Sequence, residues 1–448
     1  MTTIDAGEGV TRRSEVELPE LTSLPQRVLK HPHLMHYNRL AAFVLAVNLV
    51  VLLYGLGSGG WWSRDGVDLR ALSYAALGNF ALAVIIRQQY VVNLLFWLAI
   101  RPPTTWPLRV RWALAKVYHF GGLHIGGALA GTLWYLALVG GLTHHAVRGL
   151  GGGATAGTLA VSYALVTLLI GMVVTAMPPL RSRFHDLFER THRFGGWTVL
   201  VLFWVQTVLF TRAVEQSLAA APGIWVLAVI TFSIALPWLR LRRVPVVIER
   251  PSSHVALVHF DHGVTPFAGS STAVSRSPLL EWHSFANVPT PGRPGFRLTI
   301  SRSGDWTGAF IDDLPSHVWV KGITTAGVAN IETLFTKVVY VATGSGIGPC
   351  LPHLLAAKVP SRLVWSARRH RKTYGDALVD EILAVQPDAV LWDTAEHGKP
   401  DMVRLAYAAY AEFGAEAVIC ISNKKLTWQV VHGMERRGIP AYGAIWDS

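Results

Sequence analysis

Long apolar runs recur through the first 240 residues and then stop, and no other feature limits the fold as tightly. They fall at roughly 40–57, 71–86, 117–140, 159–178, 195–213 and 223–239, the second with a continuation toward 100. Several approach the ~20 residues that a helix needs to cross a hydrocarbon core. Only 15% of the chain is charged, against about a quarter in a typical soluble domain, and the deficit lies in this half. The pattern predicts a six-span α-helical membrane domain over 39–240 in the lipid bilayer, preceded by a polar segment, 1–38. The first two runs are the weakest, and the break at Arg87-Gln-Gln-Tyr either ends the second or places its tail at the membrane interface.

The basic residues orient these runs. Arg101, Arg109, Arg111 and Lys116 lie between the second and third, Arg181, Arg183, Arg190 and Arg193 between the fourth and fifth, and Arg240, Arg242 and Arg243 after the sixth. The other three loops are sparse in cations. Basic loops mark the cytoplasmic side, so both termini and the soluble half are expected in the cytoplasm. The formal net charge of +12 is then topological, and nucleic acid is not expected as a partner. The first twenty residues lack the apolar core of a signal peptide. The two cysteines, Cys350 and Cys420, give neither a disulfide framework nor a metal spacing.

The third and fifth runs both start inside, and each opens on a histidine: "KVYHFGGLHIGG" with His119 and "RTHRFGGW" with His192. Two imidazoles at one depth suit the axial positions of a haem iron; equally, each meets water or phosphate at the headgroup level while the glycines serve close helix packing. His124 is a second candidate, but on one continuous helix it lies ~140° round from His119, so the two would not share a ligand. Fourteen residues beyond His192 stands Gln206, a lone amide among apolar neighbours.

Beyond Val244 the pattern changes twice. Short β-branched runs broken by Gly, Pro and Ser fill 244–335 and predict an antiparallel β-barrel. From 336 to 448, "KVVYVAT", "RLVWSA", "AVLWDT" and "EAVICIS" each precede a helical stretch, which predicts a parallel α/β sheet. Its first strand ends in "ATGSGIGP". There Gly344, Gly346 and Gly348 permit a tight turn and Pro349 suits the first helical turn, so the helix start can receive a pyrophosphate. After the second strand, Arg368, Arg369 and Arg371 form a cluster. It is either a solvated loop or a fork for a ribose 2′-phosphate, which would select NADPH over NADH.

The arrangement resembles the ferric reductase and NADPH oxidase superfamily, six membrane helices joined to a ferredoxin–NADP reductase-like module. "EWHSFANVP" looks like its His-Pro-Phe-Thr flavin motif, with Ser284 for Pro and Ala286 for the hydroxyl residue; "ISRSGDWTGAF" is similar to its Gly-Asp-Trp-Thr stretch, with Ser301 in a slot often held by Arg. The resemblance implies FAD on His283, Ser284, Phe285, Ser301, Gly304, Trp306 and Thr307, with Trp446 covering the flavin face. It implies NADPH on Gly344, Gly346, Gly348, Pro349, Ser366, Arg368 and Arg369, and Cys420 beside the nicotinamide. "EWHSFA" and "RRGIPAYGAIWDS" look like a fungal and bacterial branch of membrane flavoproteins. In haem-bearing members each of the third and fifth spans carries two histidines fourteen residues apart. Here the deeper slots hold Leu133 or Trp134 and Val205 or Gln206. The resemblance thus implies at most one haem b, on His119 and His192, and no outer haem.

The expectation is a membrane NAD(P)H oxidoreductase, with FAD passing electrons to an unknown acceptor at or in the membrane. Asn48, Asn79 and Gln206 are candidates to line a pocket for such an acceptor, or else to join helices. A slow redox-sensing flavoprotein is the alternative. A nucleotide-gated transporter fits poorly, because no charge stands at a span centre.

Overall fold

The computed structural model describes residues 16–58, 60–63, 66–290 and 292–444. The chain forms two compact units: His36–Val91 with His119–Leu239, and the residues up to Met35 with Val92–Tyr118 and everything from Arg240.

The first unit is helical: α1 (His36–Gly57), α2 (Leu69–Ile85), the start of α3 (Gln89–Ala99), α4 (Gly121–Arg148), α5 (Ala156–Ala176), α6 (His185–Ala213) and α7 (Pro222–Leu239). Asp68 caps α2 by accepting from the Arg70 and Ala71 amides, and Thr155 caps α5. Among the described residues, five stretches are long and apolar enough to cross a membrane, or six if α2 and α3 count as one span bent by 73° at their break. α1 and α4 approach so closely at Gly122 that a Cβ there would lie 2.1 Å from the Tyr37 carbonyl oxygen. Leu72, Leu142 and Leu165 are fully buried in the core of this unit.

The second unit contains the two large sheets; a two-stranded ribbon, Trp62–Ser63 against Gly66–Val67, belongs to the first. The antiparallel sheet comprises β1 (Leu241–Pro245), β2 (Val247–Glu249), β3 (Val255–Phe260), β4 (Ser270–Ser275), β5 (His283–Val288), β6 (Phe296–Ser301), β7 (His317–Lys321) and the short β8 (Thr325–Ala326). The strand path is β1-β7-β4-β5-β6-β3-β2, with β8 on β4. β1 and β2 are separated only by Val246 yet stand at opposite ends of that path, so the sheet rolls into a nearly closed barrel. Val258, Leu298, Ile300 and Val320 fill it, and α8 (Asp305–Asp313) adds Phe310 and Ile311.

The parallel sheet runs β11-β10-β9-β12-β13, with β9 (Val338–Thr343) central, β10 (Ser361–Ala367), β11 (Val390–Asp393), β12 (Ala417–Ile421) and β13 (Ala441–Tyr442). Helices α9 (Ile347–Ala356), α10 (Asp376–Val385), α11 (Met402–Phe413) and α12 (Lys424–Glu435) alternate with the strands. Antiparallel strands followed by a parallel α/β sheet is the order expected from the sequence.

The sequence reading did not foresee the company kept by residues 92–118, which cluster with the sheets. Arg111, almost fully buried, bonds the Leu334 carbonyl at 2.7 Å and both Glu416 oxygens at 2.8 and 3.2 Å. Asn93 brackets the edge strand, donating to the Thr324 carbonyl and accepting from the Ala326 amide. Lys116 pairs with Glu435 and donates to the Ala441 carbonyl. A cationic loop that the positive-inside rule explains generically is here also part of a folded protein core.

Candidate functional site

Alternation along β5 places His283 and Phe285 on one face and Ser284 on the other, exposed. α8 begins opposite. Its Trp306 stacks on His283 with ring centroids 4.0 Å apart and planes 27° from parallel, and lies 6.1 Å from Phe285. Gly304 precedes the helix, and the Thr307 hydroxyl accepts from the Ser303 and Gly304 amides at 2.9 and 3.1 Å. The N–H groups of the first turn itself have no intrahelical acceptor, so this end favours an anion.

Glu281 stands beside His283. It accepts from the Ser275 hydroxyl at 2.9 Å and the Arg276 and Ser277 amides at 2.7 and 2.8 Å, and its other oxygen lies 3.1 Å from His283 Nε2, out of hydrogen-bond alignment. Burial opposes its charge, yet the adjacent imidazole and the bonds from this reversed loop hold the carboxyl down at about 2.

The other half of the site is built at the carboxyl ends of β9, β10 and β12. Gly344 takes φ +50°, and its carbonyl accepts from Trp365 Nε1 at 3.0 Å. Gly346 lets the turn meet β12: a Cβ there would lie 2.0 Å from the Ile421 carbonyl oxygen. Gly348 and Pro349 occupy the first turn of α9. Thr343 and Ser422 bond hydroxyl to hydroxyl across the strand ends. Ser366 is buried, level with Thr343. Arg368 and Arg369 are exposed and make no side-chain ion pair among the described residues, whereas Arg371 is engaged by Asp376 and Asp380. The Arg369 amide donates to Asp393, which fixes the turn in a left-handed conformation.

The two halves abut. A Cβ at Gly348 would stand 3.5 Å from Thr299 Cβ on β6. The Thr299 hydroxyl and Trp306 Nε1 are buried without hydrogen-bond partners among the described residues. Orphaned polar atoms beside an aromatic stack and an amide-rich helix start suit a flat ligand with a polar rim and a phosphate tail.

Cys420 is fully buried in the apolar cluster with Val341, Val430 and Met434, and burial pushes its thiol up to about 12. In β12 it faces the packed side of the sheet, so it has the environment of a structural strand cysteine. Trp446 lies outside the described residues. Ser301 is buried at the end of β6.

In the helical unit the ring nearest to parallel with His119 is that of His36, at 6.1 Å, and His192 meets His124, also at 6.1 Å. Residues 115–120 form a 3₁₀ turn and α4 starts at Gly121; at ~120° per residue over the 3₁₀ steps and ~100° thereafter, His124 still lies about 180° round from His119. His124 Nδ1 lies 2.8 Å from the Ala83 carbonyl and must donate to it, which leaves Nε2 as the accepting nitrogen. Gln206 donates to the Ser162 hydroxyl, Trp134 to Asn48, and Asn48 and Asn79 bond each other. These amides join helices.

Glu281, Trp365, Asp393 and the Thr343–Ser422 pair escaped sequence reasoning. Only Glu281 left a signal, a carboxylate two residues before the motif histidine.

The family described as adenylate-forming reductase 03009, C-terminal domain, matches residues 328–448. Adenylate-forming reductase 03009 of Coprinopsis cinerea is 42% identical over 429 residues, covering 94% of this chain and 41% of the relative. Adenylate-forming reductase 06235 of the same organism is 40% identical over 442 residues, covering 97% and 42%. Solved structures with a similar trace include a ferredoxin NADP+ reductase from Neisseria gonorrhoeae with bound FAD and NADP, at 11% identity and TM-score 0.37 over 46% of this chain and 98% of that one. Another is the ferredoxin reductase in carbazole 1,9a-dioxygenase, at 12% and 0.36 over 46% and 70%. The chain spans about two fifths of the length of the curated relatives that it matches.

Proposed function

We propose that this chain is a membrane-bound flavin oxidoreductase that takes a hydride from NADPH and delivers electrons to an acceptor at or in the bilayer. One observation carries the reading: the Gly344–Pro349 turn abuts the barrel strand beside the His283–Trp306 stack, through Gly348 and Thr299. A nucleotide on the first and a flavin against the second would meet at that seam. The relatives' name, reductase, supports the same class.

A bound flavin accepts hydride and releases electrons singly; the protein orients it and excludes water. His283, beside Glu281, and Phe285 would seat the flavin, and the start of α8 would face its phosphates. Gly344, Gly346 and Gly348 let the backbone approach the nucleotide, and Arg368 and Arg369 would take a 2′-phosphate. No proton or hydride step requires Cys420. A single haem, as part of this proposal, would take His192 with His124 as the facing imidazole; Trp134 and Gln206, already hydrogen-bonded, offer no outer site. The acceptor is then cytoplasmic or within the bilayer.

The test is anaerobic absorption spectroscopy of the detergent-purified full chain. Flavin bands that bleach within seconds of NADPH addition support the reading. Bleaching over many minutes would indicate the sensor, and absence of flavin would overturn both. A Soret band lost in His124→Ala and His192→Ala would place the haem.

A further inference from the structure

α3 has two faces of different character. Val92, Phe96 and Ala99 are buried, and Asn93 is bonded to the backbone at Thr324 and Ala326. The opposite arc exposes Tyr90 at 45%, Leu94 at 52%, Trp97 at 49% and Leu98 at 52%. At 100° per residue these four fall within one ~100° stripe. Arg101 continues the stripe and lays its guanidinium over the Trp97 ring at 3.9 Å. Trp106 and Val110 are exposed just beyond, beside Arg109.

We infer that α3 lies in the headgroup region of the bilayer, parallel to its surface, and presents this arc to lipid. This rests on the reading of the flanking helices as spans. Eleven residues make ~16 Å of helix, half of the ~30 Å core, so α3 cannot cross. Its buried face is bound to a β-sheet and cannot enter hydrocarbon. Aromatic residues and arginine on one stripe match the interface, where rings sit among headgroups and cations meet lipid phosphate. The chain also leaves the 17-residue apolar helix α2 at Ile85 and enters the span-length α4 at Gly121. The redox module would thus rest on lipid through α3.

Leu94→Cys and Leu98→Cys supply the probe positions in the full chain, because Cys350 and Cys420 are fully buried. A fluorescent label there is read in nanodiscs of anionic lipid carrying a nitroxide near the headgroup or near the acyl terminus. Val47→Cys at the middle of α1 and Glu396→Cys serve as span and solvent references. The expected result is severalfold stronger quenching at 94 and 98 by the shallow nitroxide than by the deep one, with the reverse at 47 and none at 396. Labels at 94 and 98 that behave like 396 would overturn the inference while 47 still quenches deeply. So would deep quenching, which makes α3 part of a span, or shielding from water without lipid quenching, which indicates a protein partner. Absence of quenching at 47 would instead sink the membrane reading, and the inference with it.

Discussion

The imidazole of His283 lies flat against the indole of Trp306, 4.0 Å between centroids, at the mouth of a helix whose first amides face outward. Such a stacked pair contributes about 0.5–1.5 kcal/mol beyond burial. Trp306→Leu is therefore expected to weaken FAD binding by roughly tenfold, measured by flavin retained after gel filtration. Unchanged retention would remove Trp306 from the flavin site.

Glu281 makes the site acid-sensitive. Its carboxyl is held at about 2 in the folded protein, against 4.5 ordinarily. A depressed carboxylate stabilises above its unfolded value and loses that contribution as pH falls through its folded one. Glu281→Gln should unfold a few degrees lower than the parent at pH 7, about 1–2 kcal/mol once solvent screening is allowed for. The gap should close between about pH 4.5 and pH 2, and a pH series of thermal melts would show whether it does.

Gly346 and Gly348 differ in what surrounds them. A Cβ at 346 collides with the Ile421 carbonyl, whereas at 348 it makes ordinary contact with Thr299. Gly346→Ala should cost about 1–3 kcal/mol, and Gly348→Ala little. If Gly348→Ala nonetheless weakens NADP+ binding by isothermal titration, the loss reads on ligand approach and not on folding.

Cys420 should be chemically silent. With its thiol pushed up to about 12 and no exposed surface, it should resist maleimide at pH 8 until the protein unfolds. Cys420→Ala is expected to leave NADPH-driven flavin reduction within roughly threefold of the parent while costing about 1 kcal/mol of stability. A hundredfold loss of rate in stopped flow would restore it to the hydride path.

Arg368 and Arg369 should select the nucleotide. Removing both is expected to raise the KM for NADPH about 10–100-fold, the loss of one or two charge-assisted bonds, and to leave that for NADH unchanged. Equal losses for both nucleotides would make the pair a structural turn.

Where a local signal has one physical cause, the sequence was readable. Gly346 announced a close approach, and the switch from β-branched runs to strand–helix alternation announced two kinds of sheet. What stayed hidden depends on geometry that no local pattern carries. His124 stood as a second candidate, but nothing local paired it with His192, because packing decides which faces of α4 and α6 meet. Glu281 owes its place beside His283 to a chain reversal at Ser277. Arg111 looked like one more loop cation until the fold brought Glu416 to it.

That last contact has a consequence for how the protein is made. Arg111 leaves the ribosome more than three hundred residues before Glu416, and Thr22 pairs with Arg436 across 414. The earliest pieces of the redox module must wait, already joined to apolar helices, until the last ones are synthesised. A chain started at Arg240 would therefore lack part of its own core, and the module is expected to assemble in one late step that no excised half can reproduce.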